Sequence, residues 1–270
     1  MAGFGPGICG NLLLTADSQP PLVPLESASV SAMVAAGRRH LPRGWSDLGL
    51  QLAIWFGFAV LYQLARGIAD RNPAKAFSNG QRVFDLEIRV THRLYELTFQ
   101  NFVDQRHLLS TIVSWTYWNS EFTVVGLAVL FVYVRRHEAF TRFRNAILFA
   151  NVIGLVGYVF MPTAPPRMLG LGFVNQHRDG LVSLAANPYA AMPSLHAADA
   201  LIVGIVLFSV CRSRWAKAFW AVWPAWVWFA VMATGNHFWL DCIAGIGVAL
   251  VAMAIVYNDR SRFLFAARRA

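Results

Sequence analysis

Long apolar stretches run through this 270-residue chain, and they constrain its fold more than any other feature. Six of them are near the ~20 apolar residues that an α-helix needs to cross a bilayer. They cover residues 48–65, 108–134, 145–166, 194–211, 218–236 and 242–258. Only 14% of the residues are charged and 57% are hydrophobic, which is typical of a membrane protein. We therefore predict an all-α integral membrane protein with six transmembrane helices in a bundle.

Basic residues alternate with the six spans and orient them. They cluster before the first span, between the second and third, between the fourth and fifth, and after the sixth, at 38–43, 135–144, 212–217 and 260–269. Because cytoplasmic loops are enriched in Lys and Arg, these clusters predict that both termini are cytoplasmic. The net charge of +9 then reflects topology and anionic lipid rather than nucleic acid. The predicted location is the cell membrane.

The chain divides into three predicted regions. Residues 1–45 are rich in Gly, Pro, Ser and Ala, which indicates a disordered tail. Residues 46–258 form the membrane domain, and residues 259–270 a basic cytoplasmic tail. The loop over residues 66–106 carries seven basic residues although it lies on the outer side. An amphipathic helix in the outer interface accounts for this loop. Its apolar residues recur at Val83, Leu86, Val90, Leu94 and Leu97, and its polar residues include Asp85, Glu87, Arg89 and Arg93.

Chemically reactive side chains fall at the outer ends of the predicted spans. Arg167 follows the third span, whereas Ser194 and His196 begin the fourth. His237 ends the fifth span, and Asp241 begins the sixth. Segments that are far apart in sequence thus reach one depth on one side of the membrane. Two histidines, a carboxylate and an arginine together suit the transfer of a phosphoryl group.

Each of these residue types suits one part of that reaction. A neutral imidazole at His237 can attack phosphorus, and Asp241, four residues on, can hold its second nitrogen. His196 can protonate the leaving oxygen. Arg167 can clamp two phosphoryl oxygens with its planar guanidinium. Ser194 starts a helix, whose N–H groups can also bind phosphate.

Two acids within the apolar spans are further candidates, because an acid there is costly and often functional. Glu121 either lines a headgroup cavity or pairs with a neighbouring helix. Asp199 lies one turn from His196, and it either orients that histidine or makes a structural pair.

The same polar residues are also compatible with three roles that involve no phosphoryl chemistry. The histidines can be packed polar residues, and two histidines with an aspartate can bind zinc, although a third strong ligand is not apparent. Glu121, Asp199 and His196 can also form a proton path of a transporter, although the sequence shows no internal repeat. We expect no metal and no cofactor.

Two motifs carry a family resemblance. The segment Pro193–His196, followed by His237 and Asp241 at a spacing of four, resembles the type 2 phosphatidic acid phosphatase superfamily. The runs at 158–167 and 187–194 are similar to its inositol-phosphotransferase branch, which includes inositol phosphorylceramide synthases. The resemblance implies six helical spans and metal-independent chemistry through a phosphohistidine. It also implies His237 as nucleophile, Asp241 as its orienter and His196 as acid–base partner.

The chain departs from the superfamily at the phosphate-binding cations. Phe160 stands where the first motif has a lysine, and Ala230 and Val231 stand where the third has Ser-Arg. Leu195 stands where the second motif usually has glycine. Because the lysine of the first motif and the arginine of the third are absent, Arg167 is the remaining motif cation. A phosphodiester carries less charge than a phosphomonoester and needs less neutralisation.

The resemblance therefore favours a membrane phosphotransferase that acts on a lipid-linked phosphate from the outer side. A lipid phosphatase with water as acceptor and a non-catalytic lipid-binding protein are the alternatives. The predicted partners are a phospholipid or polyprenyl-phosphate substrate and the lipid bilayer.

Overall fold

The secondary-structure elements in the part of the chain that the structure describes are helices. This computed structural model describes residues 41–69, 72–174 and 188–258. These residues form nine α-helices and no β-strand, which confirms the all-α prediction for them. The helices are α1 (Gly44–Ala69), α2 (Pro73–Thr91), α3 (Tyr95–Asp104), α4 (His107–Asn119), α5 (Val125–Arg135), α6 (His137–Phe160), α7 (Leu195–Val210), α8 (Arg214–Ala233) and α9 (Trp239–Tyr257). Residues 1–40 of the predicted tail and the basic tail at 259–270 lie outside the described residues.

In the described part of the chain, five helical segments are long and apolar enough to cross a membrane. They are Gly44–Leu64, His107–Arg135, His137–Phe160, Arg214–Ala233 and Trp239–Tyr257. The fourth predicted span corresponds to α7, which is apolar but has 16 residues. Large apolar side chains such as Phe56, Leu127 and Trp215 are exposed on the chain by itself, and a bilayer would cover them. The arrangement of six spans stays a prediction.

Helix α7 lies at the centre of the bundle and contacts α5, α6, α8 and α9. Its residue Ile202 belongs to a core cluster with Phe140, Phe143 and Ile147 of α6. Two glycines allow neighbouring helices to approach its N-terminal end. A Cβ on Gly157 would lie 2.7 Å from the Cδ atom of Pro193, and one on Gly245 would meet the backbone of Ser194. Packing thus brings α6 and α9 directly to the segment that carries His196.

The predicted amphipathic segment is a pair of helices, α2 and α3, which we call the α2–α3 hairpin. The buried face of α2 carries Asn79, Val83 and Glu87, whereas Leu86 and Val90 are exposed. Glu87, which the sequence pattern assigned to the polar side, is 0% exposed. The hairpin therefore packs against the bundle through a partly polar face, and its place in the membrane interface stays a prediction.

Candidate active site

His237 lies in the turn between α8 and α9 and is buried. Its Nδ1 atom lies 2.8 Å from the carbonyl oxygen of Ala191. Since a carbonyl only accepts, the proton of the neutral ring is on Nδ1, and Nε2 keeps its lone pair. Burial lowers the pKa of His237 to about 4, and the bond to Ala191 opposes this shift only in part. At neutral pH the ring is therefore uncharged and has one nitrogen suited to nucleophilic attack.

Asp241 lies beside His237 but does not make its closest polar contact. The carboxylate oxygen Oδ2 accepts a hydrogen bond of 2.8 Å from the N–H of Phe238. The same oxygen is 3.7 Å from His237 Nδ1, which is too long for a hydrogen bond. The Ala191 carbonyl thus makes the contact that we expected of Asp241. An orienting role of Asp241 stays a prediction, and it would act through charge and through the turn that it caps.

His196 faces His237 from the start of α7, with 5.5 Å between the ring centroids. Its ring stacks on Tyr117 at a centroid distance of 4.8 Å, and its Nε2 atom lies 3.2 Å from Glu121 Oε2. The side chains of His196 and Glu121 are 12% and 16% exposed, so the pair is mostly buried. Glu121 lies in the π-helical turn Ser120–Val124, and such turns are frequent at functional sites. The structure therefore joins Glu121 to a histidine of the candidate site.

Arg167 reaches the same place from the 3₁₀ turn Pro166–Met168, after α6. Its guanidinium donates to the side-chain oxygen of Asn236, and its backbone N–H donates to the Gly235 oxygen at 3.0 Å. Burial lowers the pKa of Arg167, but a guanidinium keeps its charge in proteins. The cation thus lies against the residues that immediately precede His237.

Ser194 and Asp199 have structural partners. The Ser194 hydroxyl oxygen accepts from the Ala197 N–H at 3.3 Å and so caps α7. Asp199 accepts from the side-chain amide of Asn151 at 2.9 and 3.0 Å, and a role at His196 stays a prediction. Ser194 is fully buried, and its role in phosphate binding stays a prediction. The backbone N–H of Ser194 donates to the backbone carbonyl oxygen of Asp241 at 3.0 Å, which ties the two motifs together.

Sequence reasoning missed several neighbours of the site. Glu87 and Glu96 accept hydrogen bonds from the first turn of α9, although 153 and 143 residues separate them from their donors. Tyr117 stacks on His196, and Asn236 binds Arg167. Of these neighbours, only Asn236 could have been predicted from the sequence, because it directly precedes His237. Among the described residues, no group of three or more His, Cys, Asp and Glu side chains could hold a metal ion.

The apolar helical bundle brings two histidines and an arginine together, which are side chains that can take part in phosphoryl chemistry. The chain belongs to the PAP2 superfamily, whose family model matches residues 83–255. The resemblance seen in the sequence is thus confirmed. The superfamily comprises lipid phosphatases and phosphotransferases, and the chain is a member of that class.

One relative and one solved structure add detail. Over 148 residues the chain is 30% identical to the phosphoinositol dihydroceramide synthase of Bacteroides thetaiotaomicron. This match covers 47% of the chain and 48% of the relative, so the chain spans about half the length of that protein. The chain is also similar to the crystal structure of Aquifex aeolicus LpxE, at 21% identity and a TM-score of 0.48. That alignment covers 59% of this chain and 92% of the other.

Proposed function

We propose that this protein transfers a phosphorylated headgroup from one membrane lipid to a hydroxyl acceptor through a phosphohistidine on His237. The observation that carries the proposal is the pair of histidine rings with centroids 5.5 Å apart. In this pair His237 has its Nδ1 bound to the Ala191 carbonyl and its Nε2 free for attack. Such a pair supplies a nucleophile and a separate acid–base group at one phosphorus atom.

In the first half of the reaction, His237 Nε2 attacks the lipid phosphorus and a P–N bond forms. The P–O bond to the leaving alcohol breaks, and the leaving oxygen takes a proton from His196. In the second half, an acceptor hydroxyl returns that proton to His196 as its oxygen attacks phosphorus. The P–N bond then breaks, and His237 returns to its starting state. Protons and atoms balance over the two halves without a cofactor.

Glu121 completes the acid–base group in this proposal. A protonated His196 gains from a carboxylate oxygen 3.2 Å from its Nε2 atom, because a hydrogen bond between charged groups is stronger than a neutral one. The Glu121 carboxylate therefore favours the protonated histidine that the leaving group requires. It also helps His196 to take the proton of the acceptor hydroxyl in the second half.

The charge of the site favours a phosphodiester substrate. Arg167 is the cation next to His237, and its guanidinium already binds Asn236. One arginine can neutralise the single charge of a phosphodiester but leaves a monoester dianion partly uncompensated. The relative from Bacteroides thetaiotaomicron is named a phosphoinositol dihydroceramide synthase. We therefore propose a phosphoinositol-type headgroup as the transferred unit and a lipid alcohol as its acceptor.

We also propose that α7 crosses the membrane as a sixth span, with both termini cytoplasmic and His237 on the outer side. Contacts with α5, α6, α8 and α9 surround α7, so its short length would be compensated by its neighbours. Cysteine labelling in intact cells tests this topology in a variant without native cysteines. An impermeant reagent should label a cysteine at Gly170 but not one at Ser213. The reverse pattern would contradict the topology.

Transfer itself can be measured with the purified protein in mixed micelles that contain a chelator. Lipids labelled at phosphorus should include phosphatidic acid, a polyprenyl phosphate, and phosphatidylinositol with a ceramide-type alcohol. We expect the label to appear in a new lipid, and to be trapped on the protein when the acceptor is omitted and the reaction is stopped with alkaline denaturant, because a P–N bond hydrolyses in acid. The His237→Ala variant should show neither signal. Release of inorganic phosphate instead would make the protein a phosphatase, and full turnover by His237→Ala would refute the mechanism.

A further inference from the structure

The α2–α3 hairpin contacts the loops that carry the candidate site. Asn79 of α2 donates its side-chain amide to the Pro162 oxygen at 2.8 Å, in the segment that leads to Arg167. Gln100 of α3 binds the backbone of Val174 in both directions, at 3.1 and 2.8 Å. Buried amides with such specific partners fix the loops before and after the arginine.

The hairpin also binds the turn that carries His237. Glu96 Oε1 accepts from the N–H of Trp239 at 2.7 Å, and Glu87 Oε1 accepts from the N–H of Leu240 at 3.0 Å. With Asp241 bound to Phe238, three carboxyl groups satisfy successive N–H groups at the start of α9. Free N–H groups and a positive partial charge at a helix N-terminus favour this arrangement.

The two glutamates differ from ordinary helix caps because they are completely buried and adjacent to each other. Both are 0% exposed, and their Oε2 atoms have no hydrogen-bond partner among the described residues. No cation within the described part of the chain pairs with either of them. Two ionised carboxylates offer only acceptors and repel each other, whereas a proton on one of them lets it donate to the other.

We propose that Glu87 and Glu96 are positioning residues for His237, and that they hold the start of α9 as a pair that shares one proton. The inference rests on the proposed function, because His237 is taken as the nucleophile. The hairpin thereby acts as a clamp that connects an element outside the central bundle to the catalytic turn. A nucleophile displaced by about 1 Å can lose roughly 10²-fold in rate, so a clamp of this kind would govern turnover.

The shared proton makes the clamp sensitive to alkaline pH. Burial, with the neighbouring charges of Glu96 and Asp241, raises the pKa of Glu87 from 4.5 to about 9. Burial also raises the pKa of Glu96. The pKa of Glu87 is higher in the folded state than in the unfolded chain. The stability that Glu87 contributes is therefore complete below pH 4.5 and is lost as the pH rises through about 9. Above that pH, two negative charges would push the pair apart.

Glutamine substitutions separate the positioning role from simple packing. In Glu87→Gln the amide oxygen still accepts from Leu240, and the amide NH₂ replaces the shared proton. We expect this variant to keep kcat within about twofold at pH 7 and to lack the alkaline loss of activity. Glu87→Ala should lose roughly 10²-fold in kcat with a change in KM below about threefold. The matched control is Asp85→Asn, because Asp85 is exposed on the same helix and should behave as the unmodified protein.

Two readouts do not depend on turnover. The thermal unfolding temperature in micelles should fall between pH 7 and 10 in the unmodified protein and in Asp85→Asn, but not in Glu87→Gln. The infrared difference spectrum between the unmodified protein and Glu87→Gln should contain a protonated-carboxyl C=O band that disappears above about pH 9. If the unfolding temperature depends on pH in the same way in Glu87→Gln and in the unmodified protein, the proposal of a shared proton is wrong. A kcat in Glu87→Ala within about threefold of the unmodified protein would overturn the positioning role. If no lipid is turned over, the proposed function fails, whereas unfolding and infrared spectra still test the pair.

Discussion

Replacing Glu121 by glutamine is the most direct test of the acid–base group. The substitution keeps the shape of the side chain and removes the charge that lies 3.2 Å from His196 Nε2. A hydrogen bond to a charged group contributes about 1.5–3 kcal/mol, and the pair is nearly buried, so screening by water is small. Since about 1.4 kcal/mol corresponds to tenfold in rate, we expect Glu121→Gln to lower kcat by about 10- to 100-fold.

The leaving group distinguishes lost acid catalysis from a general disturbance. A lipid alcohol needs a proton as it departs, whereas a nitrophenolate leaves without one. We therefore compare release of a diacylglycerol from a natural phosphodiester with release of nitrophenol from an aryl analogue. Glu121→Gln should show its full loss with the first substrate and less than about threefold loss with the second.

The control is Glu138→Gln, which removes a charge from the first turn of α6, a helix that does not carry a residue of the histidine pair. The Glu138→Gln variant should leave kcat unchanged for both substrates. An equal loss for both substrates in Glu121→Gln would refute the argument, because a structural defect does not depend on the leaving group. Unchanged kcat with the natural substrate would refute it as well.

Three further predictions concern the nucleophile, the cation and the packing. Burial stabilises neutral His237, so kcat/KM should begin to fall only near pH 4, and a pH profile that falls near 6.5 would contradict this. Arg167→Lys loses the planar guanidinium that binds Asn236 and that we propose binds phosphate, so kcat/KM should fall by about tenfold or more in steady-state assays. An unchanged value would contradict phosphate binding by Arg167. Gly157→Ala places a Cβ 2.7 Å from Pro193 and should cost about 1–3 kcal/mol in unfolding experiments. The control Gly126→Ala meets no atom within 4 Å and should not destabilise the protein, so equal losses would contradict the packing argument.

The sequence by itself determined the helical class and the family. Long apolar stretches predict helices because a helix satisfies its own backbone hydrogen bonds in lipid, and this is a local property. The motif around His196 and the pair His237 and Asp241 indicated the superfamily that the comparisons confirm. The sequence also predicted that Arg167 and the histidines gather at one end of the spans. Alternating spans bring every second loop to the same side.

Only the tertiary structure decided which groups hold the reactive residues. The Ala191 carbonyl is 46 residues from His237, and a backbone oxygen leaves no trace in a sequence pattern. Glu121 was assigned either to a cavity or to a neighbouring helix, and the fold joins it to His196. Glu87 follows the polar spacing of α2, yet packing buries it against α9, 153 residues away from its donor. Periodicity reports which side of a helix is apolar, whereas the partner of a buried charge depends on contacts that form only when distant helices pack.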